Sequence, residues 1–239
     1  MRNVFVLCMM LLCLGIHAQE GVVTDGRFCG NAGDYVIYTR LTEPGDPEFY
    51  ELRAFDKATR KDKQIEADLM CEQVVVLSNS VMYCKGRLLY TYNLKENIKD
   101  SVDLKMKGDE LIGISKSKDL LVFSADYKSA KVHIALYDKE LRAEYADSLS
   151  VIEQEMEGIY PRIIQSQDEF VVLLQYQLFV FNPSQKSLQM ITDKCHSILS
   201  VDEQTVLYRD VEGKSILYKR RQKPLSSAEF LRPFGSKRP

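Results

Sequence analysis

The sequence contains no tryptophan, and its 239 residues include three histidines and 12 scattered glycines. It has no Cys-x-x-Cys pair, no calcium loop and no glycine-rich phosphate loop, so no local motif suggests a metal ion or a nucleotide. Gly-x-Ser-x-Gly is absent too, which removes the usual starting point for serine-hydrolase chemistry. These absences predict a protein that needs no cofactor and favour binding over catalysis.

Two of the histidines, His133 and His196, lie in strand-like runs far apart in the sequence. Histidine ligands of a metal ion normally occur at close, regular spacing, so we expect both to be ordinary strand residues. No catalytic residue is assigned from the sequence.

The N-terminal region has the sequence pattern of a secretory signal peptide. Arg2 supplies one positive charge, residues 4–14 are apolar, and Ala18 is a small residue at a suitable cleavage position. The alternative is a buried N-terminal strand or helix. The run is shorter than the about 20 apolar residues of a membrane-spanning helix. We therefore predict a signal peptide at residues 1–18, export to the periplasm or the extracellular space, and no membrane insertion after cleavage.

Charge is distributed unevenly along the chain, although the net charge is only −2. Residues 19–218 hold 33 acidic and 24 basic residues, whereas residues 219–239 hold one acidic and seven basic residues. The simpler interpretation of this basic C-terminal tail is a solvated end that lies on an acidic domain, and the alternative is a docking tail for an acidic partner. No stripe of alternating basic and aromatic residues predicts a nucleic-acid partner.

Four cysteines remain after the predicted signal peptide: Cys29, Cys71, Cys84 and Cys195. An even number in an exported protein permits two disulfides. Cys71 and Cys84 flank one predicted hairpin, and a bridge between Cys29 and Cys195 would join the first and last repeats. The alternative is four buried thiols, because free cysteine packs as a small apolar residue.

An aromatic residue followed by Asp or Asn recurs at the end of short β-rich runs. The pairs are Phe55-Asp56, Tyr92-Asn93, Tyr137-Asp138 and Phe181-Asn182, with Tyr218-Lys219 as a degenerate fifth copy. Aromatic and β-branched residues suit a half-buried strand, and Asp or Asn side chains bond nearby backbone in tight turns. Each pair is therefore predicted to end one strand and begin the turn to the next.

Each repeat contains four predicted antiparallel strands in about 40 residues, which is the sequence signature of a propeller blade. Over nearly the whole predicted mature chain, this pattern resembles the β-propeller superfamily. The resemblance implies an all-β fold of about five four-stranded blades, in one domain at residues 19–233, that stack into a closed ring. A β-sandwich is the alternative, because regular short strands and turns would fit it as well.

The function predicted from these features is non-enzymatic binding of a protein or an extracellular ligand on one face of the ring, for example as an inhibitor or immunity-type protein. Loops at the ends of strands usually carry such sites. Two segments that interrupt the repeat, 42–48 and 150–161, are candidate binding loops, and the second is expected to be a helical turn or an acidic loop.

Two other functions remain open. A glycoside hydrolase would place carboxyl groups from different blades in the central funnel. Asp34, Asp119, Asp168 and Glu203 occupy similar places before the second strand of four repeats, although the simpler interpretation is solvent-facing turn residues. The third possibility is a surface scaffold that spaces other proteins in an assembly.

Overall fold

The structure, a computed structural model, describes residues 26–43, 46–70, 73–153, 156 and 159–220. The elements of this part of the chain are 19 β-strands in five separate antiparallel sheets, which confirms the all-β prediction. In every sheet the strands follow chain order, and each strand pairs with the next. The predicted signal peptide and most of the predicted basic tail lie outside the described residues.

The strand bounds follow the repeat. Sheet 1 contains β1 (Arg27–Ala32), β2 (Tyr35–Glu43), β3 (Asp46–Asp56) and β4 (Lys61–Leu69). Sheet 2 contains β5 (Val74–Val76), β6 (Ser80–Lys85), β7 (Leu88–Asn93) and β8 (Ile98–Asp103). Sheet 3 contains β9 (Glu110–Lys116), β10 (Leu120–Asp126), β11 (Lys131–Tyr137) and β12 (Ala143–Ser150). Sheet 4 contains β13 (Arg162–Ser166), β14 (Glu169–Leu174), β15 (Gln177–Asn182) and β16 (Ser187–Thr192). Sheet 5 contains β17 (Cys195–Val201), β18 (Thr205–Asp210) and β19 (Ser215–Lys219).

Four hydrophobic cores lie between successive sheets, one for each neighbouring pair. Side chains from the core between sheets 1 and 2 include Ile37, Leu52, Val81 and Tyr83. The corresponding sets are Met82, Leu89, Leu120 and Val122 for sheets 2 and 3, Phe123, Ile134, Phe170 and Phe179 for sheets 3 and 4, and Val171, Leu178, Ile198 and Val206 for sheets 4 and 5. A β-sandwich would instead have one core between two sheets. The sandwich alternative is therefore wrong, and the predicted blade arrangement is confirmed.

Strand β14 shows how one sheet serves two cores. Phe170 and Val172 pack against sheet 3, whereas Val171 and Leu173 pack against sheet 5. Successive side chains of a strand point to opposite faces, so an uninterrupted apolar run is required where both faces are buried. This accounts for the continuous run of apolar residues in β14, which would be unusual in a sheet with one solvated face.

The repeated Asp or Asn has the role that the sequence predicts. Asp56 Oδ1 accepts hydrogen bonds from the backbone N–H groups of Ala58 (2.8 Å) and Thr59 (3.1 Å). Asn93, Asp138 and Asn182 make equivalent bonds in the third-to-fourth strand turns of sheets 2, 3 and 4. Each of these four turns also contains one non-glycine residue with positive φ: Arg60, Asn97, Leu141 and Lys186. The motif therefore specifies the same kind of turn in sheets 1, 2 and 4 and a variant in sheet 3, where the second bond of Asp138 reaches Arg142.

The meander topology gives the stack of sheets two distinct faces. The turns between strands 1 and 2 and between strands 3 and 4 lie on one face, which we call the Asx face because it carries the Asp or Asn of each repeat. The turns between strands 2 and 3, and the links from one sheet to the next, lie on the opposite face, which we call the link face. The links at 70–73 and 193–194 are short, so they hold neighbouring sheets in the same orientation.

Sheets 1 and 5 end the stack in this structure. Each successive pair of sheets packs together, but among the described strands no comparable packing joins sheet 5 to sheet 1. Sheet 5 also has three described strands where four were predicted. The described part of the chain therefore forms an arc of blades, and the closed ring inferred from the repeat is not completed by these residues.

The outer face of sheet 1 is polar. Arg53 pairs with Glu51 at 2.8 Å, and its Nε donates to Asp62 Oδ2 at 2.7 Å. Arg40 also pairs with Glu51, and the Tyr38 hydroxyl donates to Asp62. Although burial alone would raise the pKa of Glu51, the hydrogen bonds from Arg40 and Arg53 outweigh it and lower that pKa. A face covered by this network cannot form an apolar core with another sheet.

The outer face of sheet 5 is mixed rather than apolar. Val206 and Tyr208 of β18 face sheet 4, so Thr205, Leu207 and Arg209 point the other way. This face therefore resembles a solvated surface more than half of a core, in agreement with its position at the end of the arc.

No disulfide between Cys29 and Cys195 closes the ring. Cys195 is a free thiol with 0% exposure, and burial raises its pKa to about 11. The Cys29 thiol lies 3.8 Å from Thr39 Oγ1. The structure therefore does not contain the predicted bridge between Cys29 and Cys195, and the ends of the arc are not held together by it. Cys71 lies outside the described residues, so its pairing with the buried Cys84 stays a prediction.

A polar cluster joins sheets 1 and 2 at the edge of their shared core. Glu66 of β4 accepts hydrogen bonds from Tyr83 Oη (2.9 Å) and Lys85 Nζ (3.0 Å), and it pairs with Lys99. The Tyr83 and Tyr90 rings stack with centroids 5.3 Å apart. Although burial alone would raise the pKa of Glu66, the hydrogen bonds from Lys99, Lys85 and Tyr83 lower it to about 2.

Replacing Glu66 by glutamine is expected to lower the free energy of unfolding by about 1–3 kcal/mol at pH 7, because several charge-assisted hydrogen bonds are lost. The folded-state pKa of Glu66 lies below its ordinary value of 4.5. Its stabilising effect is therefore fully present above about pH 4.5 and is lost as the pH falls toward 2. Urea denaturation of both proteins at pH 7 and pH 3.5 should show a smaller difference at the lower pH.

Glu144→Gln is the matched control, because Glu144 makes an exposed ion pair with Lys186 and such pairs contribute about 0–1 kcal/mol. A difference for Glu66→Gln that stays constant between the two pH values would contradict the assignment.

Candidate functional site

The first strands of sheets 1 to 4 surround a central cavity of about 440 Å³. The first strand lies at the edge of each sheet, so its inner side presents main-chain N–H and C=O groups that sheet pairing does not use. Several of the lining side chains are polar or cationic: Arg27, Asn31, Gln73, Lys116 and Gln165. We call this cavity the channel.

A second cavity of about 510 Å³ adjoins the channel, with which it shares Arg27, Gln73 and Ile163. It lies at the link face, where β1 and β13 begin, and we call it the mouth pocket. Its remaining lining residues come from sheet 1 and from the segment that enters β13: Tyr50, Met70, Tyr160, Pro161, Arg162 and Ile164. The mouth pocket thus combines two arginines with two tyrosines and aliphatic side chains.

The link between sheets 3 and 4 positions one wall of the mouth pocket. Pro161 is buried, and its carbonyl oxygen accepts a hydrogen bond from Gln73 Nε2. Pro161 also lies against Gly113 of β9, where an added Cβ would stand 2.6 Å from the proline Cγ. Only glycine permits this approach, which holds Tyr160 and Arg162 on either side of Pro161 at the pocket.

The same link was expected to be an acidic loop or a helical turn. Met156 and Ile159 are 5% and 4% exposed and belong to the core between sheets 3 and 4. Ile152 and Glu153 are exposed, and the Met156 N–H donates to the Glu153 carbonyl oxygen at 3.2 Å, as in a helical turn. The other acidic residues of the segment lie outside the described residues, so the acidic loop stays a prediction.

The electrostatic character of the site differs from that of the domain. The described lining residues of the channel and the mouth pocket include Arg27, Lys116 and Arg162 but no Asp or Glu. Residues 19–218 as a whole carry nine more acidic than basic residues. The charged side chains that the structure describes in this lining are thus all cationic, and cationic groups in a concave site attract anionic ones.

The acidic residues considered for glycoside hydrolysis are not in the channel lining. Asp34, Asp119, Asp168 and Glu203 lie in the turns between strands 1 and 2, on the Asx face, and all but Asp119 are exposed. The described lining therefore contains no pair of carboxyl groups of the kind that such chemistry requires.

The two histidines are not brought together either. His133 Nε2 lies 3.7 Å from Asp126 Oδ2 in sheet 3, whereas His196 is exposed on β17. Hydrogen bonds from Ser129, with a smaller effect from His133, lower the pKa of Asp126. In the part of the chain that the structure describes, no group of three or more His, Cys, Asp or Glu residues is arranged to hold a metal ion.

The first basic residue after β19 is structural. Arg220 is 9% exposed, and its Nη1 donates to Ser166 Oγ (2.7 Å) and to the carbonyl oxygen of Asp202 (2.8 Å). Its Nη2 pairs with Glu169. Arg220 thus joins sheets 4 and 5 on the Asx face, while residues 221–239 of the predicted tail lie outside the described residues.

Exposed large apolar side chains occur in several described strands and, among the described loops, in those of the link face. Five large apolar residues in its turns and links are exposed by 37–49%: Met70, Tyr127, Ile152, Tyr176 and Val211. Across the described residues, none of the exposed large apolar side chains lies in a turn of the Asx face. Exposed apolar side chains that share one side of a protein are candidates for an interaction site.

Two of these residues have a weak signal in the sequence. Tyr127 follows Asp126 and precedes Lys128, and Tyr176 stands between two glutamines, so each is an aromatic residue in a polar turn. Their common location on one face became apparent only from the strand order. The arginines of the mouth pocket gave no such signal, because they are 135 residues apart in the sequence.

Known structures of similar fold were found, although no protein-family model matches the chain and no curated protein matches it by sequence. The extracellular domain of a hybrid two-component system from B. thetaiotaomicron aligns with 87% of this chain at 16% identity and a TM-score of 0.52. An acylaminoacyl peptidase from Pyrococcus horikoshii aligns with 84% at 10% identity and a TM-score of 0.51. The AfRom2 CNH domain aligns with 89% at 11% identity and a TM-score of 0.52.

The chain has a β-propeller fold. It spans 28% of the two-component system structure, 38% of the peptidase and 73% of the CNH domain. At these identities the similarity concerns the propeller fold alone. The described residues also contain no helix with the length and apolar character needed to cross a bilayer.

Substituting alanine for Gly113 is expected to lower the free energy of unfolding by about 1–3 kcal/mol, because the new methyl group overlaps the ring of Pro161. Chemical denaturation of wild type and variant measures the loss. The matched control is Gly30→Ala in β1, where the nearest atoms to the new Cβ belong to Val76 and stand at 3.1 Å or more. Equal stability of Gly113→Ala and wild type would contradict the close approach that positions the pocket wall.

Proposed function

We propose that the protein is an exported, non-enzymatic β-propeller that binds another protein on its link face. The observation that carries this proposal is the difference between the described loops of the two faces: five link-face loop residues are exposed large apolar side chains, on the same face as the mouth pocket, whereas the described Asx-face turns have none. Such surface is costly to expose to water and is stabilised when a partner covers it.

The Asx face is a poorer candidate for the binding surface. Its third-to-fourth strand turns are closed by their own Asp or Asn side chains, as at Asp56 and Asn93. These turns also carry exposed charged residues such as Lys95 and Lys139. A surface whose polar groups are already bonded and solvated gains little from association.

Export is part of the proposal and has two supports. Residues 1–18 have the order of charge, apolar run and small residue that is typical of a secretory signal. One of the proteins with the same fold is an extracellular domain. An enzymatic role has no comparable support, because the described lining of the channel carries no carboxyl pair.

The double substitution Met70→Asp with Tyr176→Asp is expected to weaken partner binding at least ten-fold, because two exposed apolar contacts would be replaced by charges that resist burial. The partner is first captured from the extracellular fraction of the producing cells and then titrated against purified wild type and variant by surface plasmon resonance. Lys95→Asp with Lys139→Asp adds the same two carboxylates to the Asx face and is expected to bind as wild type does.

Equal loss in both double variants, or loss in the Asx-face variant alone, would refute the link face as the binding surface. Native mass is measured in parallel. A homodimer that the link-face substitutions dissociate would show that a second copy of the chain covers this surface, and it would replace the proposal of a foreign partner.

A further inference from the structure

We propose that the mouth pocket and the channel bind an extended peptide segment of the partner and that a carboxylate of this segment pairs with Arg27 and Arg162. This inference rests on the proposed function, because it names the chemical group of the partner that the link face would recognise. It is carried by the two arginines of the mouth pocket, by the apolar side chains that line the same pocket and by the main-chain edges that line the channel.

The two arginines occupy equivalent places in the repeat. Arg27 is the first residue of β1, and Arg162 is the first residue of β13. Both therefore lie at the link-face end of the first strand of a sheet, and both line the mouth pocket. A guanidinium group binds a carboxylate through two parallel hydrogen bonds, so two of them at one opening select an anionic group strongly.

The rest of the mouth pocket suits an apolar side chain next to that carboxylate. Tyr50, Met70, Tyr160 and Ile163 supply aromatic and aliphatic surface. A cavity of about 510 Å³ has room for one or two peptide residues. Tyrosine and methionine offer large contact area to an incoming side chain, and methionine adapts to its shape.

The channel favours a peptide over a small anion. Strands β1, β5, β9 and β13 are all edge strands, so main-chain donors and acceptors line the channel along its length. An extended peptide satisfies such groups with its own backbone, as in other cases of strand addition. Lys116, the last residue of β9, lies at the opposite end of the channel and extends the positive charge inward from the mouth.

The test uses the full chain without its predicted signal peptide, immobilised and exposed to three pools of hexapeptides whose unfixed positions are randomised without Asp or Glu. The first pool has one fixed glutamate and blocked ends, the second has glutamine at that position and blocked ends, and the third has glutamine and a free C-terminal carboxylate. We expect the first or third pool to be retained at least ten-fold more than the second. The pool that is retained distinguishes a side-chain carboxylate from a chain terminus.

The double variant Arg27→Gln with Arg162→Gln is expected to lose this preference, whereas Arg209→Gln is expected to keep it. Arg209 is the matched control because it is an exposed arginine of β18 that lines neither cavity. Thermal denaturation of each variant checks that the fold is retained.

Equal retention of all three pools, or a preference that survives the loss of both arginines, would overturn the inference. Complete displacement of the retained peptides by millimolar inorganic phosphate would also overturn it, because it would indicate a site for small anions. If the arginine variants still bind the partner while Met70→Asp with Tyr176→Asp does not, the proposed function stands and only the peptide site fails.

Discussion

Burial of both faces of the same sheet is the constraint on which this structure depends. A large apolar side chain contributes about 1.5–3 kcal/mol when it is fully buried, whereas an exposed ion pair contributes about 0–1 kcal/mol. The four shared cores therefore dominate the packing of the five sheets. Because Phe170 and Val171 of one strand point into different cores, sheet 4 must lie between two neighbours. The side-by-side order of the sheets, and the channel along their inner edges, follow from this requirement.

At each end of the arc, the outer face of the sheet has no described neighbouring sheet to bury it. Arg53 lies between Glu51 and Asp62 on the outer face of sheet 1, where an apolar neighbour would leave charges without solvation. Sheet 5 exposes Thr205 and Arg209 on its outer face. Terminal units of repeat proteins carry polar surfaces. Sheet 1 follows this pattern, whereas the mixed outer face of sheet 5, where Leu217 is 56% exposed, follows it only in part.

The two faces of the propeller differ because their loops are built differently. On the Asx face, the side chain of Asp138 bonds the backbone of its own turn, and the turn is complete without help from elsewhere. The link face has a different task, since its segments must carry the chain from one sheet to the next. Pro161 packs on Gly113 there, and this contact sets the wall of the mouth pocket. Variation in loop structure, and with it a concave site, is therefore concentrated on the link face.

The local part of the fold was predictable, because it depends on residues close together in the chain. The aromatic-Asx pair at Tyr92-Asn93 marks the end of a strand, and its turn bonds reach only to Lys95 and Glu96. The sequence also indicated five repeats of four short strands each. It did not indicate that sheet 5 has three strands in the described region, nor that the thiol of Cys195 is free.

By itself, the sequence determined the strand length, the turn conformation and the number of blades, since each is set by interactions within about four residues or by the alternation of apolar side chains. Only the tertiary structure decided which residues share a cavity. Arg27 and Arg162 begin strands in different sheets, and their convergence at the mouth pocket depends on how three intervening interfaces between sheets pack. The relative positions of such residues depend on many small rotations between sheets, and no short stretch of sequence encodes these rotations.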